Sequence, residues 1–264
     1  MRIAIDIQGL QSLGSRSRGI GRYTKAIVQN ILKNFSEHEY ILVANAALMD
    51  ISSDFSDQLS FSNVHYVNWY SPCPMDCISH DHNTREIAVL LRSYAFSLIN
   101  PDIILITSFF EGFSDNSMID LDREFISNPI VSIFYDLIPL INPDLYLSGN
   151  SSFSNFYFSR IEMIKKLDGL LAISSSSASE AIKYLDFDKS KVFNILSACD
   201  NDLFTESETN NHKLDDIHNF KPYILYSGAS DPRKNVKSLL EAFSLLPWDL
   251  LLRYKLVLAG KLLE

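Results

Sequence analysis

Along residues 2–45 two hydrophobic patterns alternate. Arg2–Ile7 and Tyr40–Ala44 are short, nearly continuous apolar runs rich in β-branched residues, the pattern of strands buried on both faces. Between them Ile20, Tyr23, Ile27 and Ile31 recur at helical spacing, which predicts an amphipathic helix from about Gly19. The alternation continues. Val64–Val67, Ile103–Thr107, Ile130–Phe134, Leu170–Ile173 and Val192–Leu196 read as strands. Glu86–Leu98, Phe156–Leu167 and Ser176–Leu185 read as helices. Strands this apolar, separated by helices, predict an α/β fold with a doubly wound parallel sheet over residues 1–200.

Residues 201–221 break the pattern. They are polar, acidic and without periodicity, as expected of a linker. Residues 222–264 then open a new unit. Tyr223–Tyr226 is a strand, Asn235 an N-cap, and Val236, Leu239, Leu240 and Phe243 a helix face; Lys255–Ala259 is a second strand. A strand–helix–strand piece cannot cover both faces of a sheet, so it reads as the first βαβ of a second domain.

Composition narrows the functions. Hydrophobic residues make up 47% and charged residues 21%, which fits a globular protein. No apolar run reaches the roughly 18 residues of a membrane-spanning helix, and the N-terminus lacks a signal-peptide core. Three cysteines do not make a disulfide framework, so a reducing, cytoplasmic setting is expected. The net charge of −9 disfavours a nucleic-acid partner. Within residues 1–34, however, Arg2, Arg16, Arg18, Arg22, Lys25 and Lys33 face Asp6 alone, a local charge of +5. That corner is either a site for a small anion or a solvated basic helix face.

In parallel α/β sheets ligands sit at the carboxyl ends of strands, and three loops there carry candidate chemistry. The first, QGLQSLGSRSRGIGRY, follows strand one; Gly14, Gly19 and Gly21 let a ligand approach the backbone, and the helix start offers N–H groups to an anion. A purely structural turn reads equally well. The spacing is not GxGxxG, which argues against a nicotinamide site. In the second loop Tyr135-Asp136 ends a strand; the carboxylate could orient a sugar hydroxyl or cap the turn. The third, Ser230 to Asn235, brings Arg233 and Lys234 to a helix start, either as a diphosphate clamp or as solvated charge. Cys73, Cys77, His80 and His82 are too compact for the usual zinc spacing and read as a loop. No metal site is expected. The serines of ISSSSASEAI read as helix caps, since no Gly-x-Ser-x-Gly elbow is present.

In order, MRIAIDIQGL, SRGIGRYTKAI, SFFEGFSDNSM, FYDLIPLINPDLY, LLAISSSSASEAI, NILSACDNDLF and YILYSGASDPRKNVKSLLEAF resemble the retaining GT-B glycosyltransferases of family 4, especially bacterial mannosyltransferase-like members that build O-antigen. The resemblance implies a GT-B, Rossmann-like acceptor-side domain followed by the truncated start of a donor-side domain, whose two-glutamate signature would lie beyond residue 264. It implies transfer of a sugar from a nucleoside-diphosphate sugar to a glycan or lipid-linked glycan acceptor, with no cofactor and no bound metal, in the cytoplasm with peripheral contact to the inner membrane. By position, Gly19, Gly21, Arg233 and Lys234 match residues beside the donor phosphates, and Tyr135-Asp136 falls where relatives carry a catalytic His-Asp. Here the histidine is absent. Two rivals remain: a non-catalytic relative that binds glycan or a partner subunit, and a nucleotide-dependent epimerase or dehydrogenase, against which the missing Tyr-x-x-x-Lys signature counts.

Overall fold

A computed structural model describes residues 1–74, 76, 82–198, 222–228 and 231–260. The chain divides into two compact units, Met1–Asp200 and Asn201–Glu264. The expected 201–221 linker lies outside the described residues, as do Cys77, His80 and Ser230.

The first unit is one sheet of seven described strands: β1 (Arg2–Asp6), β2 (Glu39–Asn45), β3 (Val64–Trp69), β4 (Ile103–Ile106), β5 (Ile130–Phe134), β6 (Gly169–Ala172) and β7 (Val192–Asn194). Their spatial order is β3-β2-β1-β4-β5-β6-β7, and every pairing is parallel. The order reverses direction between β1 and β4, the place where a doubly wound sheet opens a crevice. Because side chains alternate across a strand, the sheet carries two cores, one on each face. Ile5, Leu42 and Ile133 pack on one face with Val28 and Leu32. Ala4, Ile41, Val43 and Ile106 pack on the other with Phe96 and Ile161. The first two helical residues belong to α2 (Gly19–Asn34), and the latter two to α3 (His82–Ile99) and α6 (Ser151–Ile164).

Several boundaries depart from the hydrophobic pattern, each for a local polar reason. β1 stops at Asp6, one residue early, because the Asp6 carboxylate accepts the Gln8 N–H at 3.0 Å and turns the chain into a short helix, α1 (Gln8–Gln11). α6 begins at Ser151, ahead of the expected Phe156, since Asn150 caps it by accepting from Phe153 N at 2.9 Å. β7 ends at Asn194, whose side chain accepts from Leu196 N at 3.1 Å. Two more single-turn helices, α4 (Ile138–Ile141) and α5 (Pro143–Tyr146), follow β5 where the pattern gave only a loop. The serines before α7 (Ser175–Leu185) do cap it: Ser174 accepts from Ser177 N at 3.0 Å.

The second unit pairs β8 (Tyr223–Ser227) with β9 (Lys255–Ala259) in parallel, Tyr223 opposite Lys255 and Ser227 opposite Ala259. Between them run α8 (Val236–Ser244) and α9 (Trp248–Arg253), the latter not anticipated. Asn235 precedes α8 in a left-handed conformation, φ 50°, and makes no side-chain cap bond.

Candidate functional site

The carboxyl ends of β1 and β4 carry two loops that lock together at the reversal of strand order. One is the glycine loop, residues 12–18, between α1 and α2. The other is the long segment after β4, from Thr107 to Ile126. Ser12 Oγ donates to Asp115 at 2.6 Å, and Leu13 N donates to the same carboxylate oxygen at 2.9 Å. Ser15 Oγ donates to Glu111 Oε1, which also takes Ser108 Oγ at 2.6 Å. Glu111 is buried, and that burial pushes its carboxyl above the ordinary range, against the opposing effect of its serine bonds.

The loop's own backbone then sets the start of α2. Ser15 carbonyl accepts Arg18 N at 2.9 Å and Gly21 N at 3.1 Å. A Cβ on Gly21 would stand 2.3 Å from the Arg16 carbonyl oxygen, so glycine is required for this close approach. Gly19 differs. It is exposed, and nothing lies within 4 Å of where its Cβ would be. The two glycines thus have separate jobs, one in packing and one facing open space. No side chain caps α2 at Arg18. Of the basic corner, Arg2 and Lys25 pair with Glu39 and Asp54, at 3.5 and 2.7 Å. Arg16, Arg18 and Arg22 stand exposed around the glycine loop. An α-helix N-terminus bordered by arginines suits an anion.

Beneath the loops lies a polar layer. Asn45, at the end of β2, bonds Gln8 and Gln11 of α1 and the Asn116 carbonyl, tying three strand ends together. Two buried arginines hold the long loop from below by its carbonyls. Arg92 donates to Ile119 O at 2.9 Å and Arg160 to Glu111 O at 3.2 Å. Arg160 also pairs with Asp120. None of Glu111, Asp115, Arg92, Arg160 or Asn45 was singled out by sequence reasoning. The available signal was SFFEGFSDNSM itself, two acids among aromatics directly after a buried strand.

Tyr135 and Asp136 sit at the end of β5. The Tyr135 hydroxyl donates to Thr107 O at 3.2 Å, lies 3.0 Å from Thr24 Oγ1, and its ring packs edge-on against Tyr23. Burial raises its pKa. Asp136 is half-buried, and its Oδ1 accepts Ile138 N at 3.1 Å, which starts α4. In the second unit Arg233 is held by Asp231, with Nε and Nη2 each 3.0 Å from a carboxylate oxygen. Lys234 is exposed. Both lie in a single 3-10 turn, Pro232–Lys234, ahead of α8 rather than in its first turn. Among the described residues no group of three His, Cys, Asp or Glu is placed to hold a metal ion. Nor, among them, is any helix long and apolar enough to cross a membrane.

No family model matches the chain. Among curated proteins it is 34% identical over 269 residues to the serotype-specific mannosyltransferase WbdA of Escherichia coli; the match takes in 99% of this chain and 32% of the relative. The chain therefore spans about a third of that protein's length. Over a shorter stretch, 34% of the chain and 24% of the relative, it is 31% identical to the O-antigen chain mannosyltransferase B of E. coli. Among solved structures, Anabaena Alr3699/HepE in complex with UDP-glucose superposes with a TM-score of 0.59 at 11% identity, over 98% of this chain and 60% of that one. The lipopolysaccharide outer core galactosyltransferase WaaB gives 0.53 at 15% identity, over 99% and 62%. At such identities the structures speak for the fold alone: an α/β, Rossmann-like fold of the kind found in GT-B proteins.

Proposed function

Because the chain belongs with the GT-B, mannosyltransferase-like proteins of bacteria, we propose that it forms part of an enzyme transferring a sugar, mannose in this reading, from a nucleoside-diphosphate sugar to a growing glycan of the O-antigen type. The match to WbdA along 99% of the chain carries the reading. In the reaction the bond from the anomeric carbon to the diphosphate breaks and one to an acceptor hydroxyl oxygen forms. The hydroxyl proton leaves with the departing phosphate or to water. We read the outcome as retention at the anomeric carbon. We also read residues 1–200 as the acceptor-side domain, 201–221 as a linker and 222–264 as the opening of the donor-side domain.

The diphosphate leaving group needs positive charge or N–H donors where its own charge grows. Each unit has such an element. In the first it is the α2 N-terminus with Gly19 open to approach; in the second it is Lys234. Arg233 would first have to release Asp231, so Lys234 is the cation this reading relies on. In this reading no bound metal is needed. The tied hydroxyl of Tyr135 and the turn-forming Asp136 speak for a role in shaping the site over a role in proton transfer. The setting implied is the cytoplasm, where nucleotide sugars are made, with contact to the inner membrane through a lipid-linked acceptor. The test is transfer from a panel of nucleotide sugars to a lipid-linked glycan by the protein at its natural full length. Transfer of mannose is expected; no transfer from any donor, with glycan binding retained, would favour a non-catalytic relative.

A further inference from the structure

The buried acids under the glycine loop have no part in the reading above, yet they fasten that loop to the segment after β4. Glu111 takes hydroxyls from both sides, Ser15 on the glycine loop and Ser108 on its own segment. Asp115 makes the second fastening, through Ser12 Oγ and Leu13 N. Ser15 is the relay. Its hydroxyl goes to Glu111, and its carbonyl takes the N–H of Gly21 in the first turn of α2. Glu111 itself is steadied from beneath, since Arg160 on α6 holds its carbonyl. A chain of contacts thus runs from α6 through Glu111 and Ser15 to the helix start that faces open space at Gly19.

We infer that Glu111 is a positioning residue: through Ser15 it holds the glycine loop and the first turn of α2 in the shape that receives a diphosphate. The inference rests on the phosphate reading of that loop given above. Its physical basis is the cost of leaving the serine hydroxyls and their neighbours unpaired in a buried layer. The charged and titratable groups around Glu111 are Asp115 on the same segment, Tyr135 from β5, and Arg160 from α6. Glu111 Oε1 holds the loop by accepting two serine hydroxyls, and an amide oxygen accepts them as well. A neutral amide of the same shape should then serve almost as well.

The experiment uses the full chain in three variants, Glu111→Ala, Glu111→Gln and Ser15→Ala. Amide hydrogen exchange is followed over residues 12–22 and, as control, over β2. Inorganic pyrophosphate is titrated by calorimetry. Glu111→Ala and Ser15→Ala are expected to speed loop exchange at least tenfold with β2 unchanged, and to weaken pyrophosphate at least fivefold. Glu111→Gln should stay within threefold of wild type in both, a rescue that simple loss of packing volume would not mimic. If Glu111→Ala does not fold, Ser15→Ala, which removes one hydroxyl, carries the test. Unchanged loop exchange in Ser15→Ala would overturn the latch. Loosened loops with pyrophosphate affinity unchanged would overturn its role in binding. A wild-type protein that takes no pyrophosphate, while its loop still loosens in the variants, would remove the phosphate reading itself and leave only a structural latch.

Discussion

Asp6 and Arg92 form an ion pair, 2.6 Å between Oδ2 and Nη2, with neither side chain exposed to solvent. Burial lowers the Arg92 pKa, and Asp6 opposes that shift. The pair joins the end of β1 to α3 and, through the Arg92 bonds to Ile119 and Asp120 carbonyls, to the long loop after β4. Breaking such a pair by removing one partner leaves a buried charge unmatched, at about 3–5 kcal/mol. Arg92→Met should lose stability on that scale in urea unfolding. A loss under about 1 kcal/mol would contradict the weight given to this pair.

Gly19 and Gly21 should respond differently to alanine. Gly21→Ala sets a methyl 2.3 Å from the Arg16 carbonyl and should destabilise by about 1–3 kcal/mol. Gly19→Ala meets nothing and should stay within about 0.5 kcal/mol of wild type. If a ligand approaches the backbone at Gly19, the same variant should weaken pyrophosphate while leaving the melting temperature in place. Equal melting temperatures for both variants would contradict the division of roles.

Glu111 should make stability depend on pH in a known direction. Its pKa in the folded chain is raised above the ordinary 4.5. Below pH 4.5 it is protonated in both states, and its relative contribution to folding is complete. As pH rises from 4.5 through the folded pKa, the unfolded chain ionises first and that contribution is lost. The stability of wild type minus that of Glu111→Gln should therefore fall over this window. A difference that is flat, or that grows with pH, would contradict the burial argument.

Arg233 and Lys234 should not be equivalent. Lys234→Ala should weaken pyrophosphate by roughly tenfold or more, the effect of about 1.5–3 kcal/mol for a hydrogen bond to a charged group. Arg233→Ala should do less, because its guanidinium already rests on Asp231. Titration calorimetry on both variants checks the order; the reverse order would shift the anion-facing role to Arg233.

What the sequence made legible follows from its physics. Apolar runs such as Ile130–Phe134 and Lys255–Ala259 are strands within the limits the pattern set, because a short apolar run bounded by polar turn residues is itself the strand signal. The glycine loop was legible for a similar reason, since its residues are contiguous. The layer beneath was not. Asp6 meets Arg92 across 86 positions, and Ser15 meets Glu111 across 96, and no local pattern encodes a contact made only by sheet topology. The roles of Gly19 and Gly21 were likewise indistinguishable until the Arg16 backbone was seen against one of them.

Whether the chain serves sugar transfer is tested most directly by one measurement. The natural full-length protein is incubated with radiolabelled mannose, glucose and galactose nucleotide donors and a lipid-linked glycan acceptor, and label in the glycan is counted. Label from the mannose donor is expected. Label from no donor, under conditions where the acceptor is bound, would contradict it.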